Sequence, residues 1–327
     1  MKALILAGGE GTRLRPLTYS IPKSLLPICN RPFLEHQLRL MRGHGITDTM
    51  LLTGYLAEAF EPFAARMASE GIRLEVVREE QPLGTAGAVR NVLDRLDGTT
   101  IVFNGDVLTD LDLGELLAFH GASDAVATLA LAPVDDARGY GLVPLDEPGR
   151  VQAFVEKPPP EVASKGGLIN AGTYVLEPLV LADIPPGEMW SFERQLFPSL
   201  LERGESVLGF TSEAYWLDIG TPDRYLVAHW DVLAGRAHTA DAVGRRVGSL
   251  LLDEEARAPT ELAGPAVLGR GASVAQGATV ERAVLLPGAI VESGAVVRET
   301  ILGPGARVAA GVICSGVVLG EDEVVAD

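Results

Sequence analysis

The chain predicts an α/β fold with a mixed, mostly parallel sheet, followed by a short coil of parallel strands. Three observations lead there. Residues 1–234 alternate short apolar runs with amphipathic stretches, the order of a sheet covered by helices. Residues 235–262 lose that rhythm and read as a linker. Residues 263–327 carry a 17-residue repeat, the mark of a solenoid.

The elements follow in order. "KALILA" (2–7) is an apolar run that breaks into glycine, the pattern of a buried strand. "RPFLEHQLRLMRGHG" (31–45) is amphipathic at helical spacing and stops on glycine. A strand at 48–55, a helix at 56–71, a strand at 73–80, a helix at 84–96 and a strand at 100–106 continue the alternation. Shorter strand-like pieces at 124–134, 141–146, 150–157 and 170–177 predict an antiparallel portion, and 222–235 reads as one more helix. In "EEARAPTELAGP" (254–265) polar residues and breakers replace any period.

Beyond it, copies begin at Leu268, Leu285 and Leu302, with a truncated one at Leu319, each 17 residues after the last. Aliphatic residues open three runs per copy, as at Leu285, Val291 and Val297. The division is 6+6+5: three short strands per coil, aliphatics inside, glycine at the corners. The pattern resembles the hexapeptide-repeat left-handed β-helix.

Composition narrows the function. The hydrophobic fraction is 47%, enough for a sizeable core, and the formal net charge is −17. A field of that sign repels nucleic acid but leaves room for a local cationic pocket. Cys29 and Cys314 cannot form a disulfide framework or a zinc cluster, which points to a reducing compartment. The apolar run before Gly8 is shorter than a signal-peptide core, and no stretch reaches membrane-spanning length. The expectation is a cytoplasmic protein without a membrane partner.

The stretch "LILAGGEGTRLRPLTYSIPKSLLP" (4–27) concentrates glycine and cations in an acidic chain. It lacks the Gly-Lys-Ser/Thr that a Walker A loop needs four residues after a first glycine, and it is not a Rossmann fingerprint, because Leu14 stands where the third glycine would be. A strand followed by Gly8, Gly9 and Gly11 lets backbone N–H groups converge on an oxyanion, and Arg13 and Lys23 add charge for phosphate oxygens. An ordinary strand-to-helix turn with surface cations is the bland alternative, made less attractive by how much of the pattern falls in one stretch. Arg15 and Arg31 are given no role. His36, His44, His120, His229 and His238 are scattered without metal-ligand spacing, and Cys29 reads as a packing residue.

"LAGGEGTRLRPLT" followed by "PKSLLP" resembles the signature of the sugar-1-phosphate nucleotidyltransferases. "QPLGTAGA" (81–88), "NGDVLTDLD" (104–112), "GYGLV" (139–143), "FVEKP" (154–158), "INAGTYV" (169–175), "SFERQLFP" (191–198) and "YWLDIGTPDRYL" (215–226) follow in family order. The resemblance spans nearly all of residues 1–230. It implies a Rossmann-like catalytic domain over 1–234 and attack by a sugar 1-phosphate on the α-phosphorus of a nucleoside triphosphate. It also implies residue roles. Leu6, Gly8, Gly9, Gly11, Thr12, Gln81, Gly84 and Thr85 would hold the nucleotide. Arg13 would stabilise the departing pyrophosphate, and Lys23 would clamp the α-phosphate and sugar phosphate. Asp106 and Asp218 would hold Mg²⁺. Gly141, Glu156, Lys157 and Asn170 would serve the sugar phosphate. Taken singly, Asp106 or Asp218 could as well cap a turn, and Glu156–Lys157 could be a surface pair.

Within the family, "PLGTAG" and the short tail are most similar to mannose-1-phosphate guanylyltransferases. Glucose-1-phosphate thymidylyl- or uridylyltransferase activity is the alternative, and a non-catalytic NDP-sugar-binding regulatory subunit a third. With no histidine after His238, the tail is expected to serve structure or homo-oligomer assembly, and not acyl transfer.

Overall fold

The computed structural model describes residues 1–155, 158–238, 241–259, 262 and 264–326. Its contacts divide the chain into two units: Met1–Gly9 with Leu38–Trp216, and Glu10–Gln37 with Leu217–Asp327.

The first unit is built on a seven-stranded sheet in the order Val207–Thr211, Ala127–Val134, Gly167–Leu176, Thr100–Asn104, Ala3–Leu6, Asp48–Thr53, Arg73–Arg78. All neighbours run parallel except Gly167–Leu176, which is antiparallel to both of its neighbours. The mixed, mostly parallel sheet read from the sequence is therefore present. The first strand is central, which is why Ala3–Ile5 are fully buried. Leu4, Val102, Leu129, Tyr174, Phe192 and Phe197 are among the side chains of one continuous core.

The helix expected at 84–96 is shorter, Gly84–Arg90, with a separate turn at Leu93–Arg95. A helix the sequence reading did not place, Leu113–Gly121, starts where the Asp112 carboxylate accepts from Glu115 N–H at 3.0 Å. The stretches 141–146 and 150–155 do not form full strands. They pair only through isolated bridges such as Leu142–Val155 and Leu145–Val151.

In the second unit the repeat is realised in register. Leu268, Leu285, Leu302 and Leu319 are successive partners in one parallel sheet. Val274, Val291, Val308 and Val325 align in a second sheet, and Val280, Val297 and Cys314 in a third. Two corners of each coil take glycine at positive φ, Gly271, Gly288 and Gly305 at one and Gly277, Gly294 and Gly311 at the other. The third corner holds Arg282 and Glu299 in the same left-handed region. Two strands lie upstream of residue 263, in the stretch read as a linker: Arg245–Val247 pairs antiparallel with Leu250–Leu252, which then runs parallel to Ala266–Leu268.

Candidate active site

In the first unit the site motifs gather at the ends of the sheet strands. Leu6 closes the first strand, and Gly105 N–H donates to its carbonyl at 2.9 Å. That bond brings the end of "NGD", with Asp106 half-buried, beside the start of the glycine run. Among the described residues, a Cβ on Gly8 would meet nothing nearer than Glu79 Oε1 at 3.5 Å, and one on Gly9 would meet nothing within 4 Å. The packing of the described residues thus leaves the exposed backbone of Gly8 and Gly9 open.

Glu79 is a residue the sequence reading missed. Its Oε2 accepts from Leu83 N–H at 3.2 Å, and burial raises its pKa against the opposing effect of that bond. The only signal in the sequence was its position immediately before the "QPLGTAGA" motif.

Gln81, Gly84 and Thr85 lie on a loop fastened to 187–193. Gln81 Nε2 donates to Gly187 O at 3.1 Å. Trp190 O accepts from both Ala86 and Gly87, and Trp190 N–H donates to Leu83 O. Gly84 has φ +70°, and a Cβ there would stand 2.6 Å from Trp190 O, so no other residue fits. The Thr85 hydroxyl accepts from Phe192 N–H at 2.8 Å and faces Glu193 Oε2 at 3.5 Å.

Asn170 sits at a bulge. The ladder between 127–134 and 167–176 shifts register between the Leu129–Tyr174 and Leu131–Asn170 pairs, so Ala171, Gly172 and Thr173 stand opposite Ala130. Three bonds hold the bulge: Asn170 Oδ1 accepts from Gly172 N–H, Asn170 Nδ2 donates to Tyr174 Oη at 2.8 Å, and Trp216 Nε1 donates to Ala171 O at 2.9 Å. Tyr174 in turn donates to Glu193 Oε1 at 3.1 Å, and Glu193 Oε2 accepts from Ser191 Oγ at 2.7 Å. Burial, with the Glu193 charge second, pushes the Tyr174 phenol well above its usual pKa, so it stays a donor. Gly141 O accepts from Asn170 N–H at 3.4 Å, and the neighbouring Tyr140 ring packs edge-on to Trp216 at 5.3 Å. Glu156 and Lys157 lie outside the described residues.

The second unit carries Gly11, Thr12, Arg13, Lys23 and Asp218. Gly11 has φ +62°, and a Cβ there would lie 3.0 Å from Thr18 Cγ2 and 3.1 Å from Lys23 Cβ. Buried Leu14, Leu17, Ser24 and Leu26 anchor three successive single turns, Thr12–Leu14, Leu17–Tyr19 and Lys23–Leu25. Thr12 and Arg13 are left exposed. Arg15 pairs with Glu10 at 2.6 Å and lies over the Tyr19 ring; Arg31 bonds Glu35 and Asp241 O.

Asp218 Oδ1 accepts from Gly220 N–H, and Oδ2 pairs with Arg224 Nη1, both at 2.5 Å. A Cβ on Gly220 would lie 2.5 Å from Asp218 Oδ1 and 2.6 Å from Arg13 Nη2. The glycine is thus what lets Arg13 and Asp218 converge. Arg224 was also missed, being an unremarkable helix cation in the sequence; it occupies the first turn of Pro222–Leu233, where Thr221 caps Arg224 N–H.

Among the described residues no group of three or more His, Cys, Asp and Glu could by itself hold a metal. In the second unit the Asp218 carboxylate offers the oxygen chemistry a hard divalent ion takes, and each of its oxygens keeps a lone pair beyond its present bond. His36, His120 and His229 are buried in packing positions, with His120 bonded to Thr128 and Glu177. Cys29 is buried, and burial pushes its thiol up to about 12, so it is inert. No helix among the described residues is long and apolar enough to cross a membrane.

A mixed sheet whose first strand opens into unobstructed glycines, with acidic and amide side chains at neighbouring strand ends, is the frame of a nucleotide-handling α/β protein. A family model described as Nucleotidyl transferase matches residues 2–235. The mannose-1-phosphate guanylyltransferase of Mycobacterium tuberculosis is 42% identical over 289 residues, 86% of this chain and 79% of that protein. The probable mannose-1-phosphate guanylyltransferase 2 of Arabidopsis thaliana is 38% identical over 269 residues, 78% of this chain and 72% of that one. Among solved structures, HddC from Yersinia pseudotuberculosis complexed with GMP-PN is similar at a TM-score of 0.61 and 30% identity, over 70% of this chain and 98% of that chain. A putative glucose-1-phosphate thymidylyltransferase from Bacillus anthracis shares the fold at a TM-score of 0.63 and 24% identity, over 70% of this chain and 94% of that one. The chain belongs to the nucleotidyl transferase family and is an enzyme. Enzymes of this family generally use a divalent metal ion and act on small molecules.

Proposed function

We propose that this enzyme is a mannose-1-phosphate guanylyltransferase: mannose 1-phosphate and GTP give GDP-mannose and pyrophosphate. The observation that carries this reading is the likeness to relatives of that name along 78–86% of the chain. Glucose 1-phosphate with dTTP or UTP is the competing substrate pair.

The reaction brings two anions together and spreads charge over the α-phosphoryl oxygens and the leaving group, so the residues' task is alignment and charge compensation. In this reading the backbone of Leu6, Gly8, Gly9, Gly11 and Thr12 receives the nucleotide, and Gln81, Gly84 and Thr85 line the base side. The bonds of Gln81 and Thr85 to 187–193 support them as rigid walls. Arg13 faces the leaving pyrophosphate, and Lys23 the α-phosphate and sugar phosphate. Asn170, held by its bulge, meets the sugar with Gly141, Glu156 and Lys157. Asp106 and Asp218 hold Mg²⁺, which supplies Lewis-acid charge at the phosphates when bound. A homo-oligomer working in the cytoplasm, with a left-handed coil at its C-terminus, completes the proposal.

Pyrophosphate release measured with GTP, dTTP, UTP and ATP against mannose and glucose 1-phosphates tests the substrates. GTP with mannose 1-phosphate is expected to give the highest kcat/KM; a preference for dTTP or UTP with glucose 1-phosphate overturns it. Lys23→Ala and Asp218→Asn are each expected to cost on the order of 10²-fold in rate, as for loss of one transition-state contact. Near-normal rates in both would refute the site.

A further inference from the structure

The segment that bears Arg13 and Lys23 does not stand alone in the second unit: it is fastened to the β-coil at both ends. Beyond Arg13, Pro16 lies against the last coil. A Cβ on Gly320 would stand 3.1 Å from Pro16 Cβ and 3.4 Å from Pro16 Cγ, a fit that asks Pro16 to give by a few tenths of an ångström, so glycine is what lets the two approach without displacement. Gly320 is itself fixed, its N–H donating to Glu323 Oε2 at 2.7 Å. Beyond Lys23, the Asn30 side chain donates to Leu268 O at 3.2 Å and Val243 O at 3.0 Å, and Val243 N–H donates to Cys29 O at 2.9 Å. Asn30 adopts φ +66°, a conformation asparagine tolerates better than most residues.

The two anchors belong to one sheet. Leu268, Leu285, Leu302 and Leu319 are consecutive partners, so the anchor at Leu268 and the one beside Leu319 are three strand spacings, about 14 Å, apart. A stack of parallel strands is stiff, so it sets the distance between the two ends of the cation-bearing segment. Inside that span Thr18 Oγ1 donates to Gly11 O at 2.9 Å, and the would-be Cβ of Gly11 touches Lys23. Displacement at either end is therefore passed to both cations.

We propose that the C-terminal coil is a positioning frame for Arg13 and Lys23, with Gly320 and Asn30 as positioning residues for phosphate binding. This rests on the reading of Arg13 and Lys23 as phosphate contacts. Two variants test it in the full-length chain. Gly320→Val drives a side chain into Pro16, and Gly320 does not need a positive φ, so the backbone accepts it; Gly320→Ala is the milder version should valine prevent folding. Asn30→Gly keeps the left-handed conformation and removes the amide donor. Both are expected to raise KM for GTP several-fold, and KM for mannose 1-phosphate with it, since Lys23 serves both phosphates, while cleavage elsewhere in the chain stays as in the parent. Limited trypsin digestion should show faster cleavage after Arg13 and Lys23 than at other sites. Unchanged GTP KM in both variants overturns the proposal, whether or not cleavage changes. A rise in both substrates' KM with uniformly faster cleavage overturns it too, since that reports general destabilisation. Arg13→Ala and Lys23→Ala, assayed alongside, separate the two readings: normal activity in these variants removes the phosphate contacts themselves.

Discussion

Gly8, Gly9 and Gly11 belong to one motif, yet the structure gives them different reasons to be glycine. Gly11 is required by the fold, through its positive φ and the close approach of Thr18 and Lys23. Gly8 and Gly9 meet no such demand among the described residues, and under the proposed function it is the nucleotide that a side chain there would obstruct. Gly11→Ala is accordingly expected to destabilise by about 1–3 kcal/mol through backbone strain and crowding, seen as a lower Tm. Gly9→Ala should leave Tm within about 1 °C and weaken GTP binding instead, since a surface change of this kind is within about 0.5 kcal/mol. A large Tm drop for Gly9→Ala would contradict the distinction. The cluster was readable in the sequence; which glycine does what was not, because φ and neighbouring side chains across the turn have no one-dimensional signature.

Two histidines make a second point at this scale. Burial holds His36 down to about 4, with the Arg31 charge working in the same direction and Ile28 O, Glu35 and Asp241 opposing; burial and then His36 hold His229 down to about 3. Both folded values lie below the ordinary value near 6.5, so the unfolded chain takes up these protons first. Their contribution to stability is full above about pH 6.5 and is lost as pH falls through about 4 and 3, up to about 3 kcal/mol for each residue by pH 4. Urea midpoints measured from pH 7.5 to 4 should fall steeply below 6.5. His229→Asn, which keeps an acceptor for Cys29 N–H, should flatten that fall; an equally steep curve in the variant would assign the acid sensitivity elsewhere.

At the scale of elements, the sheet was legible because buried strands need apolar runs and their crossovers need amphipathic ones. Leu113–Gly121 escaped because it is short and apolar on most sides, with only the Asp112 cap to announce it. The bulge at 171–173 escaped too: "INAGTYV" reads as a plain strand, and the register shift depends on the partner at Ala130. Yet this irregularity holds Asn170, through Tyr174 and Glu193, against the 83–87 loop. Tyr174→Phe removes a buried hydroxyl from Asn170 and leaves Glu193 Oε1 without its donor, so a loss of about 1–3 kcal/mol is expected. If the network also sets the amide, KM for mannose 1-phosphate rises while KM for GTP stays. A variant that only loses Tm would make the network structural.

For the whole molecule, the 17-residue repeat was the most legible feature of all, since its inward positions recur along the chain as they do in space. The division into units was not legible. Residues 10–37 group with 217–327, a grouping the order of the chain does not announce, because non-local packing decides it. That has a consequence for truncation. A boundary drawn at 262 removes the parallel partner strand of Leu250–Leu252 and one of the two acceptors of Asn30, Leu268 O, as well as the aliphatic columns from Leu268 to Leu319 that form the coil's core. Leu250 and Leu252, now buried, would face water, and each fully exposed leucine costs roughly 1.5–3 kcal/mol. Residues 1–262 alone should therefore melt well below the full chain and cleave readily with trypsin within 10–37, while segments such as 48–53 and 100–104, in the sheet of the first unit, stay protected in hydrogen exchange. Equal Tm and equal protection of 10–37 in the truncated and full-length chains would mean that the segment draws its order from elsewhere, and that the coil is an appendage.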